Sequence, residues 1–126
     1  MHLVPADRQQ RRIIDGERVC QAIEAIGEPS DLATWATRFA LLGDPSRLTV
    51  LLAITEAGPI SVTDIATATG IKDTTVSQCL RFLRAAGSVA GSRDGRIIRY
   101  QVTDPAIRDL VIRARNTNRR PHHAAS

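Results

Sequence analysis

The sequence predicts a mainly α-helical chain with one small β-hairpin, in the order α-α-α-α-α-β-β-α. Three observations predict it. Apolar residues recur at spacings of three and four from Val19 to Leu83, which is the pattern of helices that bury one face. Gly27-Glu28-Pro29, Gly43-Asp44-Pro45 and Gly58-Pro59 interrupt that pattern, and Gly ends helices while Pro cannot continue them. Beyond Gly87 the period changes. Val89, Ile97, Ile98, Tyr100 and Val102 flank Arg93-Asp94-Gly95, and an Asp-Gly pair between β-prone runs is a hairpin signal.

Each element follows in turn. Ala6–Ile26 reads as a helix carrying Val19, Ala22, Ile23 and Ile26 on one face, with Gly16 weakening its middle. A second helix is expected from a cap at Asp31, with Leu32, Trp35, Ala36, Phe39 and Leu42 as its stripe. Asp44-Pro45 starts a third, because Asp caps free N–H groups and Pro prefers the first helical position. Leu48, Leu51 and Leu52 form its apolar face. Thr63 is the expected cap of a short fourth helix, which Gly70 ends with a positive φ. After a tight turn, Asp73 or Thr74 caps a fifth helix through Arg84, anchored by Val76, Leu80 and Leu83. Thr75, Ser77, Gln78 and Arg81 then fall on its other faces. Thr103-Asp104-Pro105 opens a last helix with Ile107, Leu110, Val111 and Ala114 on one side. The expected organisation is an N-terminal extra helix and linker over 1–30, a main domain over 31–115, and a polar tail over 116–126.

Composition narrows the function. The chain has 126 residues, 43% of them apolar, enough to bury one core. Its apolar stretches fall short of the ~20 residues a membrane span needs. Its first residues are polar and charged, unlike a secretory signal. Two cysteines do not make a disulfide scaffold. A cytoplasmic protein without a membrane partner is the expectation. The formal net charge is +4, but it is unevenly placed. Residues 1–80 carry 7 basic and 10 acidic side chains, whereas residues 81–126 carry 10 arginines and 3 acids. A basic end of that kind points to nucleic acid or another anionic partner. No glycine-rich phosphate loop, metalloprotease motif or nucleophile triad is present at informative spacing, so no enzyme activity is expected.

The element order is that of a winged helix-turn-helix. A fifth helix that starts with small polar residues can enter the major groove and offer them to base edges. Its N-terminal N–H groups suit a phosphate. The candidate DNA contacts on that helix are Asp73, Thr74, Thr75, Ser77, Gln78 and Arg81, and Arg93, Arg96 and Arg99 on the hairpin can reach phosphates or the minor groove.

Three motifs carry a resemblance. Leu42-Gly43-Asp44-Pro45-Ser46-Arg47-Leu48, Val76-Ser77-Gln78-Cys79-Leu80-Arg81-Phe82-Leu83-Arg84 and Arg93-Asp94-Gly95-Arg96-Ile97-Ile98-Arg99-Tyr100 resemble, in order, motifs of the ArsR/SmtB family of bacterial repressors. The resemblance runs from about Trp35 to Ala114. It implies a homodimer formed by the first and last helices and a double-stranded palindromic operator as partner. It also implies control by an effector, whether a metal or a protein co-regulator. Family members that sense metal through a Cys-x-Cys pair match here at Ser61 and Thr63, which are not thiols. Those that use the last helix begin with Asp-x-His; Asp104 matches, but Ala106 stands for the histidine, and the later positions fall at Thr117 and Arg120. The tail pair His122-His123 resembles that of some actinobacterial nickel/cobalt sensors. His2, Asp104, His122 and His123 are therefore the candidate ligands for nickel or zinc.

Two further readings stay open. Cys79 stands where the family has His, and a thiol whose pKa is lowered by Arg81 would make a redox switch; the alternative is a small, partly buried residue. Trp35 and Phe39 share a helix face that packs in a core or a dimer seam. Against DNA binding stands a winged helix kept as a protein-interaction module, with its arginines on an acidic partner.

Overall fold

The computed structural model describes residues 4–118, and the chain divides into two compact units, Met1–Phe39 and Ala40–Ser126. In the first unit a single turn of 3-10 helix, Ala6–Arg8, is followed by irregular chain and then α1, Gly16–Ile26. The long helix expected from Ala6 is therefore shorter. Asp15 accepts the backbone N–H of Arg18 at 3.2 Å and starts the helix at Gly16, which lies at the first helical position and not in the middle. Gly27 ends α1 with φ +68, a conformation costly for any residue with a Cβ. α2 spans Pro29–Leu42 and so begins two residues before the expected cap at Asp31. Proline supplies the first position, and Asp31 lies in the first turn, where its charge favours the helix dipole.

The second unit holds α3 (Pro45–Ala57), β1 (Ile60–Ser61), α4 (Val62–Thr69), α5 (Asp73–Ala85), β2 (Val89–Asp94), β3 (Ile97–Val102) and α6 (Pro105–Asn118). As expected, Asp44 caps α3, accepting the N–H of Arg47 at 3.0 Å. The cap of α4 is Ser61 and not Thr63; Ser61 Oγ accepts the N–H of Asp64 at 3.2 Å. Gly70 takes φ +74 and ψ 6 as expected. α6 runs through Asn118, so the first three residues of the expected tail, 116–118, are helical.

The sheet has three antiparallel strands in the order β1-β3-β2. β1 escapes sequence reading because two residues show no period; it exists only as a partner of β3, with Ile60 opposite Tyr100. Gly91 lies opposite Tyr100 across the hairpin, and Gly95-Arg96 makes the turn. A Cβ at Gly91 would lie 3.0 Å from the Tyr100 ring and 2.9 Å from Ile98, so glycine lets the tyrosine lie flat across β2.

One core fills this unit. Val50, Leu51 and Ile54 of α3 meet Ile65 of α4 and Val76, Leu80 and Leu83 of α5, closed by Val89, Tyr100 and Val102 of the sheet and Ile107 and Val111 of α6. Each such side chain contributes ~1.5–3 kcal/mol on burial. The anchors expected for the fifth helix are thus the ones that hold α5. The fold is mainly helical with a small antiparallel sheet, a winged helix-turn-helix as the sequence predicts, with β1 as the added strand.

Candidate nucleic-acid interface

The segment joining α4 to α5 is fixed by local bonds. Thr69 Oγ1 donates to the Ile65 carbonyl at 2.7 Å and accepts the N–H of Ile71 at 3.2 Å, while Gly70 turns the chain. α5 then begins at Asp73, with Lys72 at the cap position and no side-chain cap. The expected cap at Asp73 or Thr74 is corrected: Asp73 is the first helical residue, and the first-turn N–H groups are left to other acceptors.

Because Val76, Leu80 and Leu83 are buried, the rest of α5 is displayed. Asp73, Thr74, Ser77, Gln78 and Arg81 are exposed, and Thr75 is half-buried. Ser77, Arg81 and Arg84 share a cleft of about 190 Å³ with Val62 and Tyr100, which sets that side of α5 beside β3. On the opposite flank, Thr75, Gln78, Cys79 and Phe82 line a cleft of about 320 Å³ with Asp44, Ser46 and Arg47.

The three wing arginines do not act as one group. Side chains alternate across a strand, and directly paired residues share a face. Arg93 is opposite Ile98, on the face of Tyr100 and Val102; Arg99 is opposite Ser92, on the other face. Arg99 is also half-buried and occupied, its Nε donating to Asp94 Oδ2 at 3.1 Å. Arg93 and Arg96 are exposed, and Arg96 shares a cleft of about 520 Å³ with Ile98 and the Ser61–Asp64 segment.

Cys79 is 7% exposed, beneath the outer face of α5. Burial pushes its thiol pKa above the ordinary value, the Asp44 carboxylate adds to the rise, and the Arg47 guanidinium opposes it. The expected lowering by Arg81 is corrected, since desolvation dominates and the nearby cation is Arg47. Cys20 is half-buried, and both cysteines are free thiols.

Of the four candidate metal ligands, His2, His122 and His123 lie outside the described residues. Asp104 Oδ1 accepts the N–H of Ala106 at 3.0 Å, the geometry of a cap. Ser61, at one of the positions matched to a thiolate pair, is engaged as a cap as well. Among the described residues no group of three or more His, Cys, Asp or Glu side chains comes together, so these residues do not by themselves fit a nickel or zinc ion. Trp35 and Phe39 are 39% and 58% exposed, with ring centroids 5.8 Å apart, and Arg38 lies over the Trp35 ring at 4.9 Å. The core half of that expectation fails, because neither ring is buried. Among the described residues no helix is long and apolar enough to cross a membrane.

Sequence reasoning gave no role to Arg47 or Phe82. Arg47 Nε and Nη2 donate to the Leu41 and Ala40 carbonyls, both at 3.1 Å, and its guanidinium carbon lies 4.4 Å from the Phe82 ring centroid. The signal was the arginine of the Asp-Pro-x-Arg motif itself, which a capping argument leaves unexplained.

The sequence pattern of the arsR family of bacterial regulatory proteins matches residues 44–90, from the cap of α3 to the second residue of β2. The chain is 41% identical over 76 residues to the HTH-type transcriptional regulator NmtR of Mycobacterium tuberculosis, covering 60% of this chain and 62% of that protein. It is 40% identical over 82 residues to a probable mercury resistance operon repressor of Streptomyces lividans, covering 65% of each. The match thus spans a little under two thirds of either relative. Among solved structures, that of M. tuberculosis Rv0081 superposes with a TM-score of 0.60, at 33% identity over 72% of this chain and 90% of that one.

Proposed function

The chain belongs to the arsR family of bacterial regulatory proteins, and from that premise we propose that it is a sequence-specific DNA-binding repressor acting as a homodimer on a palindromic operator. One observation carries the reading: α5 is held by three buried apolar anchors while Thr74, Ser77, Gln78 and Arg81 stay exposed. Gln78 can pair with an adenine edge through both ends of its amide. Ser77 and Thr74 take single contacts, and the uncapped first turn of α5 with Thr75 takes a phosphate. Asp73 sits at the start of that turn and accepts from a cytosine amine. Arg81, Arg93 and Arg96 neutralise phosphates. Arg99 does so only after giving up Asp94.

An interaction module without DNA would leave this face to a protein. The exposed polar composition of α5, with arginines on either side, supports DNA instead. The dimer reading rests on the exposed stripe of Leu32, Trp35 and Phe39. Operator occupancy is proposed to respond to an effector. For nickel or zinc, the donors in question are His2, His122 and His123, and titration of the chain against a version truncated after Arg120 tests the tail pair.

The test of the main reading is a mobility shift with DNA from upstream of the chain's own coding region, in competition with unrelated duplex. Retention of the upstream complex under excess competitor is expected. Equal displacement by both duplexes would remove sequence-specific reading.

A further inference from the structure

We infer that Arg47 is a positioning residue for the recognition helix: it ties the C-terminal end of α2 to the Phe82 ring and so sets the pose of the Gln78 face. The inference rests on the DNA reading above for its consequence, but the geometry stands by itself.

Arg47 is anchored at three points. Its backbone N–H is held by Asp44 Oδ2 at 3.0 Å. Its Nε and Nη2 donate to the Leu41 and Ala40 carbonyls, two of the last four of α2, and the Ala40 carbonyl also accepts the N–H of Gly43 at 3.2 Å. Phe82 lies against the guanidinium held in this way, its ring centroid 4.4 Å from the guanidinium carbon.

Phe82 is not part of the core; it is 52% exposed. Val76, Leu80 and Leu83 hold α5 along one stripe, and a single stripe leaves the helix able to roll about it. Phe82 lies off that stripe and one helical turn beyond Gln78, so Arg47 opposes the roll from outside. Gln78, Phe82 and Arg47 line the same cleft of about 320 Å³. Lysine cannot replace this arrangement, because an ammonium offers neither a plane for the ring nor two donors in a fixed fork.

The test compares the unaltered chain with Arg47→Lys, Phe82→Leu and the double variant. Lysine keeps the charge, so a simple phosphate contact is largely preserved. One arm is amide hydrogen exchange on the free protein. Arg47→Lys is expected to speed exchange in α5 while α6 amides stay unchanged. The second arm is affinity for the upstream duplex and for an unrelated one, each across a salt series. Arg47→Lys and Phe82→Leu are each expected to weaken the specific complex by about tenfold. The unrelated complex and the salt slope should stay as they were, and the double variant should be no weaker than either single one. Equal weakening on both duplexes with a shallower salt slope would make Arg47 a phosphate ligand and overturn the proposal. Unchanged exchange in α5 would overturn it as well. If the unaltered chain binds no duplex, the DNA reading fails, and the exchange arm still decides whether Arg47 holds α5.

Discussion

Asp94 and Arg99 close on each other beside the turn of the wing, with Arg99 Nε donating to Asp94 Oδ2 at 3.1 Å. The pair is solvent-exposed enough to matter little for stability, since exposed ion pairs contribute ~0–1 kcal/mol. Its consequence is for charge. Asp94 is the one acid among the hairpin arginines, and it holds one of them.

Asp94→Asn removes that acid and frees Arg99. Binding to any duplex should tighten, and the slope of log K against log salt should steepen by roughly 0.9 if Arg99 then neutralises one phosphate. Arg99→Ala alone should change little. A fluorescence anisotropy series over salt concentration reads both variants.

Gly91 and Gly58 should both resist substitution. A Cβ at Gly91 meets Ile98 at 2.9 Å and the buried Tyr100 ring at 3.0 Å; at Gly58 it meets the Ile54 carbonyl oxygen at 2.6 Å. Overpacking of this kind costs about 1–3 kcal/mol. Urea denaturation of Gly91→Ala and Gly58→Ala should show a lower midpoint, with Gly58→Ala the more damaged because backbone cannot rotate away.

Cys79 should give the fold an alkaline weakness. Its folded-state pKa is raised, so the protonated thiol stabilises the fold fully below the unfolded pKa. That contribution is lost as pH rises through the folded value. Cys79→Ala should therefore flatten the fall in stability above about pH 8.5, where unfolded thiols ionise. Iodoacetamide should modify the half-buried Cys20 before Cys79 in the native chain.

The dimer half of the proposal rests on α2. Trp35→Ala with Phe39→Ala removes two exposed rings that contribute nothing to the core. Sedimentation should show a weakened dimer, with the circular dichroism of the helices retained.

Much of this was legible in the sequence because the signals were local. Asp44-Pro45 had to start α3, Gly70 had to turn the chain, and Val76, Leu80 and Leu83 had to face inward, whatever surrounded them. The errors lie where two local solutions compete. Pro29 and Asp31 both suit the start of α2, and the helix begins at Pro29; Ser61 and Thr63 both suit the start of α4, and the strand pairing of Ser61 with Arg99 favours the former. What could not be read was long-range. The partner of β1, the opposed faces of Arg93 and Arg99, the Asp44 and Arg47 charges beside Cys79 and the seat of Arg47 on Phe82 all depend on which segments meet in space.

The central claim is that α5 reads a base sequence through Gln78. The most direct measurement is the affinity of Gln78→Ala for the upstream duplex and for an unrelated one at the same salt concentration. The account predicts that the specific complex loses about 1–3 kcal/mol while the unrelated complex holds its affinity. Equal affinities of the variant and the unaltered chain for the upstream duplex would contradict it.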